Sequence, residues 1–239
     1  MALAGMGLVA PSAAAGTVAD AAVYVESGAV QYTGGDLAND VIMDIDELWE
    51  QHTEFTIDDR VPIVAGQGCE HPDAADATLV VCTSSYVEPP VHVELGDGND
   101  TLVVSGNVSG TATVHGGSGD DRIGAGGELH GDEGDDELVG YWGPDLLYGG
   151  DGDDRVEAGD GDDAVHGGRG HDDILAGLGD DLVHGNSGED HVAGGKGGDQ
   201  LSGGPDPDVI YGNSGDDHIR GGGGEDDLSG GPGTDDVAQ

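Results

Sequence analysis

From Gly131 to Gln239 the sequence can be written as an unbroken stack of nine-residue lines. The lines start at 131, 140, 149, 158, 167, 176, 185, 194, 203, 212, 221 and 230. Gly149-Gly150-Asp151-Gly152-Asp153-Asp154-Arg155-Val156-Glu157 is one of them. Gly167-Gly168-Arg169-Gly170-His171-Asp172-Asp173-Ile174-Leu175 is another. In every line the sixth residue is Asp and the eighth is Val, Ile or Leu. A unit this short cannot bury its one aliphatic side chain alone. Each line must stack on its neighbours, so a solenoid is expected.

Composition agrees that no conventional core is available. Aromatic residues make up 4% of the chain, and glycine accounts for 49 residues. Low apolar content with high charge often marks disorder, but the strict period argues against that here. Salt adaptation stays open as a source of the acidity, since residues 1–94 are acidic without being repetitive. The 50 acids against 6 bases give a net charge of -44. No basic patch exists to release counterions from phosphates, so no nucleic-acid partner is expected. Cations are the natural partners.

The period begins before the perfect phase. Counting from Leu95, Asp100 is sixth and Leu102 eighth. Val104 to His115 is irregular, with Val108 and Val114 as inward positions. Gly116 to Gly124 is a full line carrying Asp121, and Ala125 to His130 is a shortened one.

The line G-G-x-G-x-D-x-U-x, with U aliphatic, resembles the RTX (repeat-in-toxin, hemolysin-type) nonapeptide. The resemblance covers about 95–239. It implies an all-β chain forming a right-handed parallel β-roll or β-helix solenoid. It also implies several Ca²⁺ ions between turns, held by sixth-position carboxylates and turn carbonyls. The implied ligands are Asp100, Asp121, Asp136, Asp145, Asp154, Asp163, Asp172, Asp181, Asp190, Asp199, Asp208, Asp217, Asp226 and Asp235.

Physical chemistry supports the same picture. Glycine at the first, second and fourth positions permits positive φ and tight turns. Residues seven to nine form a short strand whose central aliphatic faces inward. Two lines make one coil. Val156, Ile174, Val192, Ile210 and Leu228 then form one inward ladder. Leu147, Val165, Val183, Leu201, Ile219 and Val237 form the other. Carboxylates stacked at the strand spacing of ~4.8 Å repel one another. A hard cation removes that repulsion, and Ca²⁺ accepts about 6–8 oxygens.

Some lines depart from the pattern. Tyr141 and Asp206 replace the second and fourth glycines of their lines, so their turns are expected to be weak metal positions that divide the stack. Asn186 and Asn213 are milder changes because Asn tolerates positive φ. Ala158 and Ala176 are tolerable in first place if that residue has negative φ. His166 and His184 are ninth residues and are expected to stack on an exposed face.

Residues 17–94 read as a small β-rich cap on the N-terminal end of the array. Ala21–Val25 and Ala29–Thr33 are expected strands joined by a turn at Glu26-Ser27-Gly28. Val41–Met43, Phe55–Ile57, Val61–Val64 and Thr78–Cys82 are further short apolar runs. Asp46 to His52 is expected to make one helical turn. Cys69 and Cys82 are the only cysteines. Their spacing fits no zinc pattern, and a disulfide between them is the better reading in an exported chain. Glu70, His71 and Asp73 read as a solvated loop.

Residues 1–16 resemble the apolar core and A-x-A-like cleavage site of a secretory signal, although no Lys or Arg precedes them. A flexible Ala-rich start is the alternative. No segment reaches the ~20 apolar residues needed to span a bilayer. The sequence closes within its last repeat, and with the leader-like start this suggests general secretory export. No nucleophile elbow, H-E-x-x-H or Walker sequence is present, so no enzymatic role is expected. The expectation is a secreted calcium-binding protein that folds on binding Ca²⁺. The alternatives are a secretion module of an enzyme or toxin, or a surface adhesion or matrix protein.

Overall fold

The computed structural model describes residues 21–26, 29–35, 40–48, 52–58, 63–65, 67–70, 79–84, 90–106 and 112–239. The leader-like residues, His71, Asp73 and Val108 lie outside them. Among the described residues every regular element is a strand. The chain forms a parallel β-solenoid of about 8 turns.

The N-terminal strands are β1 (Ala21–Glu26), β2 (Ala29–Thr33), β3 (Asp40–Leu48), β4 (His52–Asp58), β5 (Ile63–Ala65), β6 (Cys69–Glu70) and β7 (Leu79–Ser84). They are followed by β8 (Val91–Asp97), β9 (Thr101–Gly106), β10 (Ala112–Ser118), β11 (Arg122–Gly124) and β12 (Gly127–Glu133). Each later repeat adds one strand, down to Asp236–Ala238. The strands form two 12-stranded sheets, and from β8 onward successive strands alternate between them. One begins β5-β1-β2-β8-β10-β12 and the other β6-β7-β4-β3-β9-β11. The β-rich start therefore extends the same two sheets. Its pairs β1/β2, β3/β4 and β4/β7 are antiparallel, while β2/β8 and β3/β9 start the parallel stack.

Asp46–Leu48 and His52 correct the expected helical turn. Asp46, Glu47 and Leu48 finish β3, and His52 opens β4, with Leu48 paired to His52. Antiparallel pairing with β4 overrides the local helical preference of the Asp-Glu-Leu run. Val114 is buried as expected.

The inward ladders follow the period. Leu138, Val156, Ile174, Val192, Ile210 and Leu228 occupy matching positions on successive coils of one sheet. Leu129, Leu147, Val165, Val183, Leu201, Ile219 and Val237 do so on the other. They are fully buried except at the C-terminal end, where Leu228 is partly exposed and Val237 is 42% exposed.

Between Leu146 and Gly222 each repeat strand is longer than three residues. Arg155–Asp160 contains residues seven to nine of one line and one to three of the next. Alternation along it buries both Val156 and Ala158. The first residue of a line therefore faces inward as well, and this sets the geometry of the site.

Candidate metal centre

The turn of each line is built by its second and fourth residues. Gly150 and Gly152 have φ of 125° and 147°, a region that L side chains rarely adopt. Asn186 and Asn213 take the same role with φ of 78° and 72°. Asp132 and Tyr141 do so at 76° and 70°.

First-position residues are different, and the expectation of positive φ fails there. None of those in the perfect phase has it. Their glycines are needed for space. A Cβ on Gly149 would lie 2.3 Å from Asp154 Oδ2 and 2.5 Å from the Gly167 carbonyl oxygen of the next coil. The same point beside Gly131 lies 2.2 Å from Asp136 Oδ2 and 2.4 Å from the Gly149 carbonyl. A carboxylate oxygen and a carbonyl oxygen from adjacent coils thus converge beside Gly131, Gly140, Gly149 and Gly167. Ala158 and Ala176 fill that space with a methyl group and remain buried, with φ outside the positive region.

The sixth-position aspartates form two columns, one at each edge of the stack. Asp100, Asp121, Asp136, Asp154, Asp172, Asp190, Asp208 and Asp226 make one. Each main-chain N–H donates to Oδ1 of the next member, at 2.7 Å from Asp100 to Asp121 and 3.0 Å from Asp172 to Asp190. Asp145, Asp163, Asp181, Asp199, Asp217 and Asp235 make the other in the same way. The series continues through both lines expected to divide it. Asp145 Oδ1 accepts from Gly127 N at 2.6 Å, and Asp208 Oδ1 from Asp190 N at 2.9 Å. Asp145 and Asp208 are 5% and 1% exposed, so Tyr141 and Asp206 leave the carboxylates in place.

The second carboxylate oxygen has no such partner. Oδ2 of Asp121, Asp136, Asp145, Asp154, Asp163, Asp172, Asp181, Asp190, Asp199, Asp208, Asp217 and Asp226 is buried without a hydrogen bond. Leaving a buried polar atom unpaired is costly. A long series of such atoms, all acceptors, calls for a cation. Without one, burial pushes the carboxyls up, and neighbouring acids add to it. Asp121, Asp145, Asp154, Asp181 and Asp190 reach about 7, and Asp136, Asp172 and Asp199 about 6. Asp163, Asp208 and Asp217 move in the same direction. The donor set is all oxygen, mixing carboxylate with main-chain carbonyl, and suits a hard divalent cation such as Ca²⁺.

The structure therefore brings together all the sequence-predicted aspartates, with Asp235 the least enclosed, at the open end. Reading the sequence missed a second, exposed series at the fifth position. There Asp153 N donates to Asp135 Oδ1 at 2.9 Å, His171 N to Asp153 Oδ1 at 2.7 Å and Asp180 N to Asp162 Oδ1 at 3.0 Å. The frequent Asp at that position was the available signal. His166 and His184 do stack, with ring centroids 5.1 Å apart. They belong to a longer column with His115, His130 and Tyr148.

No curated protein and no solved structure matches the chain. A family model described as the RTX calcium-binding nonapeptide repeat (4 copies) matches residues 109–127, 130–165, 139–174, 166–201 and 202–237. Those matches cover more than half of the sequence and include every member of the two aspartate columns except Asp100. The chain belongs to the RTX calcium-binding nonapeptide repeat family.

Proposed function

We propose that the protein binds several Ca²⁺ ions along its two aspartate columns and that the array folds as it binds them. The buried, unpartnered Oδ2 atoms carry this reading. Asp100 and Asp235, at opposite ends of the array, complete the proposed ligand set. At Gly131, Gly140, Gly149 and Gly167 the Oδ2 atom lies near a carbonyl oxygen of the adjacent coil, so a cation joining the two would tie one coil to the next. The aliphatic ladders supply only a thin core. Metal binding free energy then becomes folding free energy.

The setting we infer is extracellular. The leader-like residues 1–16 support export. So does the register of β6 and β7, which sets Cys69 directly opposite Cys82, where a disulfide can close. Calcium is scarce in the cytoplasm and abundant outside, so the array would stay unfolded until exported. We read the chain as a binding and folding module rather than an enzyme, because its buried acids form a periodic series of unpartnered carboxylate oxygens. Among the described residues no helix is long and apolar enough to cross a membrane.

Circular dichroism during a calcium titration of the EDTA-treated protein tests the proposal. A cooperative gain of β structure with several Ca²⁺ bound per chain is expected. A full β signal in EDTA at pH 7.5, unchanged by calcium, would overturn it.

A further inference from the structure

We propose a second kind of metal site, made by His115, His130 and Asp132, that takes a borderline divalent transition cation such as Zn²⁺. One ligand atom from each residue lies within 4.8 Å of the other two. His115 Nδ1 and Asp132 Oδ2 are 3.1 Å apart. The two imidazole rings stack at 4.3 Å and 13°. All three residues are half-buried, so their side chains are held by the sheet yet reachable from solvent.

The backbone explains why the three meet only here. His115, His130 and Tyr148 are register partners on adjacent coils, as are Gly117, Asp132 and Gly150. Asp132 therefore stands where both neighbours have glycine, at a φ of 76° that disfavours a side chain. That one carboxylate faces the ring column beside two histidines. Further along, His166 and His184 continue the stack, but their matching positions hold Gly168 and Asn186. The shortened line at Ala125–His130 also separates His115 from His130 by fifteen residues instead of eighteen, which hides the pair from the period.

The chemistry differs from that of the calcium columns. Two imidazoles and one carboxylate suit Zn²⁺ and its neighbours, whereas Ca²⁺ prefers oxygen alone. Three protein ligands leave a fourth tetrahedral position open. Glu128 Oε1 lies 3.2 Å from His130 Nε2 and can orient that ring through its second nitrogen. Closing to metal–ligand distances of ~2.0–2.2 Å needs only side-chain rotation at a solvent-facing edge. The net charge of -44 draws cations of any kind towards the surface.

Zn²⁺ titrated calorimetrically into the full chain, held in excess Ca²⁺, tests the site. One zinc event that survives calcium saturation is expected. His130→Ala should weaken it at least about tenfold, as should Asp132→Asn, while His184→Ala leaves it unchanged. Asn is tolerated at the matching turn positions 186 and 213, so Asp132→Asn keeps the proposal testable if a histidine variant misfolds. Co²⁺ bound to the wild type should show the visible spectrum of mixed nitrogen and oxygen ligation, lost in both site variants. Zinc binding that is abolished by excess Ca²⁺, or is undiminished in Asp132→Asn and His130→Ala, overturns the site and assigns zinc to the carboxylate columns. Calcium-dependent folding, followed by circular dichroism, is read separately, so failure of the calcium reading is distinguishable.

Discussion

The two ends of this solenoid are held together in different ways. At the N-terminal end Val23, Val30, Tyr32, Val41 and Met43 are buried, and Tyr32 and Met43 are among the largest fully buried side chains. From Gly131 to Arg220 each line buries one eighth-place aliphatic and one carboxylate, such as Val156 and Asp154. The first arrangement gains from removing apolar surface from water whatever ions are present. The second places carboxylates in columns, where like charges repel until a cation or protons neutralise them. If the proposed function holds, a single pair of continuous sheets contains one region whose stability is indifferent to calcium and another that depends on it.

The sharpest way to break this contrast is to remove two ligands. Replacing Asp172 and Asp190 by Ala deletes adjacent members of one column, joined through Asp172 N and Asp190 Oδ1 at 3.0 Å. Calcium affinity of the array should fall by roughly tenfold or more, in the range expected for losing groups at a metal site. Amide protection of residues 21–33 should not change. Calorimetry and hydrogen exchange check the two halves of this statement.

Proton linkage should separate the regions next. In calcium-free buffer the buried aspartates titrate near 6–7, against an ordinary value of 3.8. Their folded pKa is raised, so the folded array holds more protons than the unfolded chain. That contribution to stability is fully present below pH about 4 and is lost as pH rises towards 7. The EDTA-treated array should therefore be more ordered at pH 4 than at pH 7.5 in circular dichroism. With calcium the sign reverses, because ligation needs the ionised form. Calcium affinity should weaken as pH falls from about 7 to 6.

Gly167→Ala tests the inward first position. Its Cβ would meet Asp172 Oδ2 at 2.2 Å and the Gly185 carbonyl at 2.7 Å. Calcium affinity should fall by a few-fold while the aliphatic ladder is kept, and Ala158→Gly should change it in the opposite direction. The smallest effect is expected from Ile174→Val in the calcium-saturated protein. Loss of one buried methylene should cost about 1 kcal/mol, read from the thermal midpoint.

Much of this was legible in the sequence because the repeat is nearly one-dimensional. The eighth-position rule named both aliphatic ladders correctly, since each coil contacts only its neighbours. The sixth-position rule named every member of the two carboxylate columns, and Asn186 and Asn213 adopt the positive φ expected of them. Features that depend on a partner strand were hidden. Asp46–Leu48 looks helical until β4 and β9 pair with the strand it belongs to. The first-position glycine looks like a turn residue until alternation turns it towards Asp Oδ2. Tyr141 and Asp206 suggested weak metal positions; the neighbouring coils hold the carboxylates of Asp145 and Asp208 in line there all the same. His115 and His130 meet as register partners, but the short line between them hides that pairing from the period.

The most direct test of calcium-dependent order is region-resolved hydrogen exchange at pH 7.5, with and without calcium. The measurement compares the amides of Asp154, Asp172 and Asp190, which donate along the column, with those of β1 and β2. Removing calcium should expose the column amides to exchange and leave Val23, Val30 and Tyr32 protected. Column amides that stay protected in EDTA, or a loss of protection equal in both regions, would contradict the account.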